Sequence, residues 1–334
     1  MEKLRKVIYI TLCIIAVVVM LAALLSIFRD TPNRYLKMLD FPRLQFFWLS
    51  LVSFILFIAF TKRWRWYDYA LLIGLAGGMI VQARYVINYT PLVDKTVPDA
   101  PGDVSDEDAF SILILNVKMS NRNAAPVVDL IRERRADVVL LMETDDWWAR
   151  EMEPIGAQYV HMHEVINDLA YGMMIYSNLP WTGVKVNYLN NEGVPSFQVP
   201  IRLRNGREML LYAAHPVPPT RYSNLPDNEG QREVAMEKVG EIVTNQPLPA
   251  VIAGDLNDVV WSQTDALMGT DNLLQDVRVG RGFYNSFDAD NPLLRYPLDH
   301  VFVTQPFQVK HLERLPSVGS DHFPIWVELV LPRS

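Results

Sequence analysis

The 334-residue chain holds a single cysteine, Cys13, set inside an apolar run. One thiol excludes an intramolecular disulfide and any cysteine metal cluster. The chain beyond it has no thiol at all, which is compatible with an oxidising compartment. No His-Glu-x-x-His cluster occurs, which argues against zinc hydrolysis. Basic charge is scarce in the longer part of the chain: residues 90–334 hold 20 Lys/Arg against 34 Asp/Glu, a net charge of −14. Such a region repels polyanions on average, and no basic–aromatic stripe offsets this, so nucleic acid is a disfavoured partner. Internal repeats and low-complexity tracts are also absent.

Charge is missing altogether from stretches near the N-terminus. Val7–Phe28 runs 22 residues without one and Leu44–Phe60 runs 17. A helix of about 20 apolar residues crosses roughly 30 Å of hydrocarbon. Tyr69–Ala83 is apolar and Gly-rich, carries Gln82 near its end and is closed by Arg84. These stretches predict an anchor of two or three transmembrane helices over 1–89, at about 7–28, 44–60 and 67–87, with the lipid bilayer as partner. The alternatives are buried core helices or, for the first, a cleaved signal peptide. That first run exceeds the roughly 7–15 residues of a signal peptide, and no small-x-small site follows it. Trp64, Trp66, Tyr67 and Tyr69 fit an interfacial aromatic belt. Residues 1–89 carry 11 Lys/Arg and 4 Asp/Glu, net +7. If the dense basic clusters (Lys3, Arg5, Lys6 and Lys62, Arg63, Arg65) stay in the cytoplasm, three spans place the acidic domain outside it. Two spans would reverse that side.

Residues 90–109, rich in Pro, Asp and Gly, read as an exposed linker. Over 110–334, short apolar strands alternate with polar loops and helices. Strands are expected at Ser111–Val117, Asp137–Met142, Gly172–Tyr176, Ala250–Ala253, Asp299–Thr304 and Ile325–Val330. Helices are expected at Pro126–Arg135 and Glu229–Val243. Val199–Arg204 and Glu208–Ala214 flank Asn205-Gly206, a hairpin signal. The alternation predicts an α/β domain with a mixed or mostly antiparallel core. About 225 residues can bury a substantial core without disulfides.

The apolar strands stop repeatedly at the same kinds of residue. Asn116 ends ILILN, Glu143 ends ADVVLLME, His215 ends LLYAAH, and Asp255 with Asn257 ends VIAGDLN. Asp299 opens LDHVFV, and Asp321-His322 stands in GSDHFP just before the last strand. A buried strand that stops at a carboxylate or histidine delivers that group to the rim of its sheet. Glu143, Asp255, Asp299 and Asp321 are hard oxygen ligands, with Asn116 and Asn257 as neutral partners. A carboxylate-rich, cysteine-free set suits Mg²⁺ or Mn²⁺. Histidines beside such a cation move protons or bind phosphate. Together these are the apparatus for hydrolysing a phosphate ester. Each residue taken singly also has a bland reading as a turn residue, a cap or a core histidine.

The order of LNV, LLME, a strand ending in His, AGDLND, LDHVF and GSDHFPI resembles the endonuclease/exonuclease/phosphatase superfamily over about residues 110–332. The resemblance implies a four-layer α/β sandwich, two β-sheets flanked by helices, with the site at one sheet edge. It implies Glu143 as principal metal ligand with Asn116 beside it, and Asp321 as a second metal-side ligand. Asp255 would orient or activate water, with Asn257 contacting phosphate. His322 would be the catalytic histidine with Asp299 as its partner, and His215 would bind phosphate near the leaving oxygen. The N-terminal helices suggest a bacterial, inner-membrane branch. Lys118 stands where some members carry an acidic residue. The expected function is a membrane-anchored, metal-dependent phosphoesterase acting on a lipid head group or small phosphodiester. The alternatives are a nuclease of the same fold and a catalytically inactive tethered binding domain.

Overall fold

Apolar runs near the N-terminus satisfy their backbone groups internally by becoming helices. The computed structural model describes residues 2–28, 33–219, 231–262, 266, 268–270 and 273–333, in two units, Met1–Val93 and Asp94–Ser334. The first holds α1 (Glu2–Leu25), the single turn α2 (Arg34–Lys37), α3 (Arg43–Phe60) and α4 (Trp66–Val86). Three of its helical segments, Lys3–Leu25, Arg43–Phe60 and Trp66–Tyr89, are long and apolar enough to cross a membrane.

This unit exposes apolar side chains and buries polar ones beside a small apolar core of Ala16, Val19, Phe57, Leu71 and Leu75. Ile14, Val18, Ile73 and Ile80 are at least 60% exposed, whereas Arg43, Ser50, Asp68 and Gln82 are fully buried. Arg43 donates to Gln82 Oε1 (3.1 Å) and to the Ser26 carbonyl (2.9 Å), and pairs with Asp40. Gln82 in turn donates to the Ala23 carbonyl (2.7 Å) and Ser26 Oγ (2.9 Å). The residue that interrupts the third apolar run is therefore the one that ties α4 to the end of α1 and to α3.

The second unit comprises β1 (Ala109–Asn116), α5 (Ala125–Arg134), β2 (Val138–Met142), α6 (Asp146–Gly156), β3 (His161–Val165), β4 (Met173–Ser177), β5 (Lys185–Tyr188), β6 (Pro195–Arg202), β7 (Glu208–Ala214), α7 (Gln231–Thr244), β8 (Ala250–Asp255), β9 (Gln275–Asp276), β10 (Asp299–Val303), β11 (Gln308–Arg314) and β12 (Ile325–Val330). The start expected for α7, at Glu229, lies outside the described residues. The strands form two six-stranded mixed sheets, β11-β12-β1-β2-β4-β3 and β5-β6-β7-β8-β10-β9.

Strand alternation decides the layers. Phe110, Ile112 and Ile114 of β1 face a core shared with Val199, Leu211, Ala253 and Val301 of the other sheet. Leu113 and Leu115 face the opposite way, onto Val127, Ile131 and Trp148 of α5 and α6. Leu210, Tyr212 and Ile252 pack on Met236 and Val239 of α7. The result is the four-layer sandwich expected. Strands buried on both faces are apolar throughout, which is why they were readable.

The unread elements are β3, β5, β9, β11 and α6. Strands β3, β5, β9 and β11 sit at the sheet edges and carry polar residues at alternate positions, with little apolar signal. Within the segment expected to be an exposed linker, Val97 is fully buried in the core between the sheets. Ala100 N donates to the Val309 carbonyl (2.9 Å), and Val309 N donates to the Pro98 carbonyl (2.9 Å). Residues 97–100 are thus an added piece of the sheet edge at β11. The Asn205-Gly206 hairpin forms, with Arg202 opposite Glu208 and Gly206 at φ +84°.

Arg43→Met removes the buried guanidinium that pairs with Asp40 and donates to Gln82 and the Ser26 carbonyl. A broken buried pair costs about 3–5 kcal/mol, and replacing both partners by apolar groups costs much less. Thermal unfolding of the full chain in detergent should show a large loss for Arg43→Met and a smaller one for Arg43→Met/Asp40→Leu.

Candidate active site

Strand register brings the polar strand ends together. Strand β1 runs parallel to β2 with Asn116 beside Met142, so Glu143, the next residue, stands next to Asn116. Strands β8 and β10 are antiparallel with Asp255 directly opposite Asp299. Strand β7 runs parallel to β8 with Ala213 beside Ala253, so His215 and Asp255 follow in step. Gly254, at φ +143°, keeps β8 close to its neighbour, because a Cβ there would strike the Ala214 carbonyl. Glu143 itself adopts φ +60°, uncommon for a non-glycine residue and a mark of local constraint. The constraint is visible next door: Thr144 N donates to the Gly172 carbonyl (3.0 Å).

A continuous polar network results. Asn116 Nδ2 donates to Glu143 Oε1 (2.8 Å) and to Asp255 Oδ2 (3.1 Å). Met119 N donates to Glu143 Oε2 (3.2 Å). His322 Nδ1 bonds Asp299 Oδ2 (2.8 Å), and its Nε2 lies 3.5 Å from Asp255 Oδ2. His215 Nε2 lies 3.7 Å from the same oxygen, with the Tyr171 ring 5.6 Å away. Asp255, Asp299, His215 and His322 are all buried.

Burial sets the electrostatics. It pushes the Asp255 carboxyl above its ordinary range, with His322 acting in the opposite direction. It pushes Glu143 up as well, only partly offset by the hydrogen bonds from Asn116 and Met119 N. It pushes the His215 imidazole down and so favours its neutral form. His322 differs: burial opposes its charge, but Asp255 and Asp299 overcome that and raise it to about 10.

Asp255, Asp299 and His322 each bring a ligand atom within 4.8 Å of the others. That closeness is accounted for by the imidazole bridging two carboxylates. Glu143 forms no ion pair among the described residues, although the His322 imidazolium acts on it at longer range. With Glu143, Asp255, Asp299 and Asp321 ionised, the carboxylates outnumber the His322 imidazolium and the Lys118 ammonium, and Asp288 and Asp290 add to the excess. Asp299 Oδ1 is buried without a hydrogen-bond partner among the described residues. An oxygen-rich set with that charge fits one hard divalent cation of the Mg²⁺ or Mn²⁺ type.

A family model described as "Endonuclease/Exonuclease/phosphatase family" matches residues 113–322. The chain belongs to this family. Its members hydrolyse phosphate esters and generally depend on divalent metal, and this chain is a hydrolase of that class. Solved structures share the fold. D. rerio TDP2 in complex with a single-strand DNA product is 17% identical, with a TM-score of 0.55, covering 67% of this chain and 99% of its own. A family protein from Bacteroides thetaiotaomicron is 18% identical, TM-score 0.51, covering 67% and 98%. The human Nocturnin catalytic domain with bound sulfate is 11% identical, TM-score 0.51, covering 68% and 96%. No curated protein matches the sequence.

Within this family fold, the expected site residues Asn116, Glu143, His215, Asp255, Asp299 and His322 converge. Asn116 turns its amide N–H groups toward the carboxylates, while its oxygen accepts from Lys118 N (2.9 Å). These bonds orient the carboxylates of Glu143 and Asp255. Asn257, at φ +53°, uses its Nδ2 to hold the Pro216 carbonyl (2.8 Å), and its N–H donates to Asp255 Oδ1 (2.9 Å). Asp321 is engaged by Lys118 Nζ at 3.1 Å. Sequence reasoning missed Ser320, whose hydroxyl donates to the Asn116 carbonyl (2.7 Å) and accepts from His322 N (3.0 Å). It also missed Phe287, whose ring lies 5.0 Å from that of His322. Ser320 could have been found from its place before Asp321-His322; nothing local marks Phe287.

Asp299→Asn removes one of the two carboxylates that hold His322 charged. The ring should then titrate about 1–3 units below its wild-type value near 10, the usual effect of losing an adjacent charge. Imidazole NMR in EDTA reads this, and an unchanged titration would refute the ion-pair assignment.

Proposed function

We propose that this chain is a membrane-anchored, divalent-metal-dependent phosphoesterase whose substrate is a phosphate ester presented at a bilayer, of the lipid head-group class. The observation that carries the reading is the convergence of Glu143, Asn116, Asp255 and the His322–Asp299 pair at one sheet rim. The anchor reading rests on three long apolar helices with apolar outer faces. With three spans and the positive clusters inside, the hydrolase domain is extracytoplasmic at a bacterial inner membrane.

Glu143 is the carboxylate that would hold the metal, with Asn116 and Met119 N fixing its two oxygens. The bound ion supplies Lewis-acid polarisation of the phosphoryl group. Asp255, with its raised pKa, is suited to take the proton of an attacking water. His322, held as imidazolium by Asp299, donates to a non-bridging phosphoryl oxygen. His215 is neutral and its Nδ1 has no partner among the described residues; it is the group that meets the leaving oxygen. A narrow, mainly apolar cleft lined by Leu189, Val194, Ala214, Val217 and Met236 opens beside His215.

The second reading is a nuclease, because the D. rerio relative holds a single-strand DNA product. A net charge of −14 over residues 90–334 opposes it.

Full-length protein in detergent micelles, supplied with Mg²⁺ or Mn²⁺, is assayed on bis(p-nitrophenyl) phosphate, p-nitrophenyl phosphate, single-stranded DNA and phospholipid. Turnover should be greatest on the phospholipid, vanish with EDTA, and fall at least about 10²-fold in Glu143→Gln and in His322→Ala. Full activity in both variants would overturn the site assignment. DNA as the better substrate would favour the nuclease.

A further inference from the structure

Lys118 lies two residues past Asn116 at φ +59°. Lys118 N donates to Asn116 Oδ1 (2.9 Å) and Asn121 N donates to the Lys118 carbonyl (2.7 Å). This turn places consecutive residues against two different carboxylates. Met119 N–H serves Glu143 at 3.2 Å, and Lys118 Nζ meets Asp321 Oδ2 at 3.1 Å. The Lys118 and Asp321 side chains are 37% and 24% exposed, so solvent and substrate can reach the pair. Asp290 and Asp288 also act on the ammonium.

We propose that Lys118 is a built-in cation at this site: it closes Asp321 to metal, limits the site to one divalent ion, and offers its ammonium to the substrate phosphate. The inference deepens the phosphoesterase reading and rests on it. The pairing supports it. A second ion would have to displace the ammonium from Asp321, and Asp288 and Asp290 add to the field that holds the ammonium there. An acidic side chain at position 118 would free Asp321 from the ammonium and lower the local charge by two. Donor geometry supports it too. A lysine ammonium has three donors and no acceptor, so the bond to Asp321 leaves two donors for a phosphoryl oxygen. Lys118 is thus a substrate-binding residue, distinct from the groups that move protons.

The test is a Mn²⁺ titration of the full-length protein in detergent, followed by electron paramagnetic resonance, with circular dichroism to confirm folding. Wild type should bind one ion per chain and Lys118→Asp two. Two ions on wild type, or one on folded Lys118→Asp, would overturn the proposal. Lys118→Met provides an independent measurement should Lys118→Asp fail to fold. Its KM for the best phosphate-ester substrate should rise roughly 10- to 100-fold with kcat little changed, the signature of a lost charge-assisted ground-state contact. An unchanged KM would overturn the substrate contact. Glu143→Gln separates the two levels of inference. If it binds Mn²⁺ as wild type does, the metal assignment of the phosphoesterase reading fails, whatever Lys118 does.

Discussion

A carboxylate with no solvent exposure, Asp255, is the constraint around which the rim is arranged. A buried charge is tolerated only with hydrogen bonds and opposite charge around it. Asn116 Nδ2 and the Asn257 N–H each donate to it, and His322 and His215 approach it from neighbouring elements. Two sheets must therefore hold a common register at their ends, because Asn116 belongs to one sheet and Asp255 to the other. The shared apolar core between the sheets fixes that spacing, and Gly254 admits the close approach of β8 to Ala214. The packing of the sandwich and the geometry of the site therefore depend on the same core.

The central strands were legible because burial on both faces leaves an unbroken apolar run, and the polar residue that ends it marks the rim. That logic located Asn116, Glu143, His215, Asp255 and Asp299 before any geometry was known. It could not identify partners. Nothing in the local sequence says that Asn257 spends its amide on Pro216, or that Asn116 presents nitrogen rather than oxygen to the carboxylates. Lys118 was visible as a departure in charge, but only its distance to Asp321 gives that departure a consequence. Edge strands such as β3 and β11 stayed hidden because polar residues interrupt their few apolar ones. Val97 stayed hidden because one buried valine among prolines and aspartates carries no periodic signal.

The N-terminal unit buries a polar cluster beside an apolar one. Apolar side chains cover its outside, and Arg43, Gln82, Ser26 and Asp40 meet inside. Buried interhelical hydrogen bonds of this kind add a specificity that apolar contact alone does not supply. Gln82 weakens the sequence signal of the third helix and at the same time supplies its attachment. A hydropathy reading counts only the first of these effects, so it rates this helix lowest of the three.

The two charge scales of the hydrolase domain act on substrates differently. A polyanion lies across the surface and feels the acidic excess within a Debye length, about 8 Å at physiological ionic strength. In the proposed reading, a single phosphate entering the rim meets the His322 imidazolium and the Lys118 ammonium, while a bound divalent ion would offset the carboxylate excess. The surface repulsion grows with the number of phosphates a substrate carries, while the rim serves only one. That difference is the ground for proposing an isolated phosphate ester, such as a lipid head group, over a nucleic acid strand.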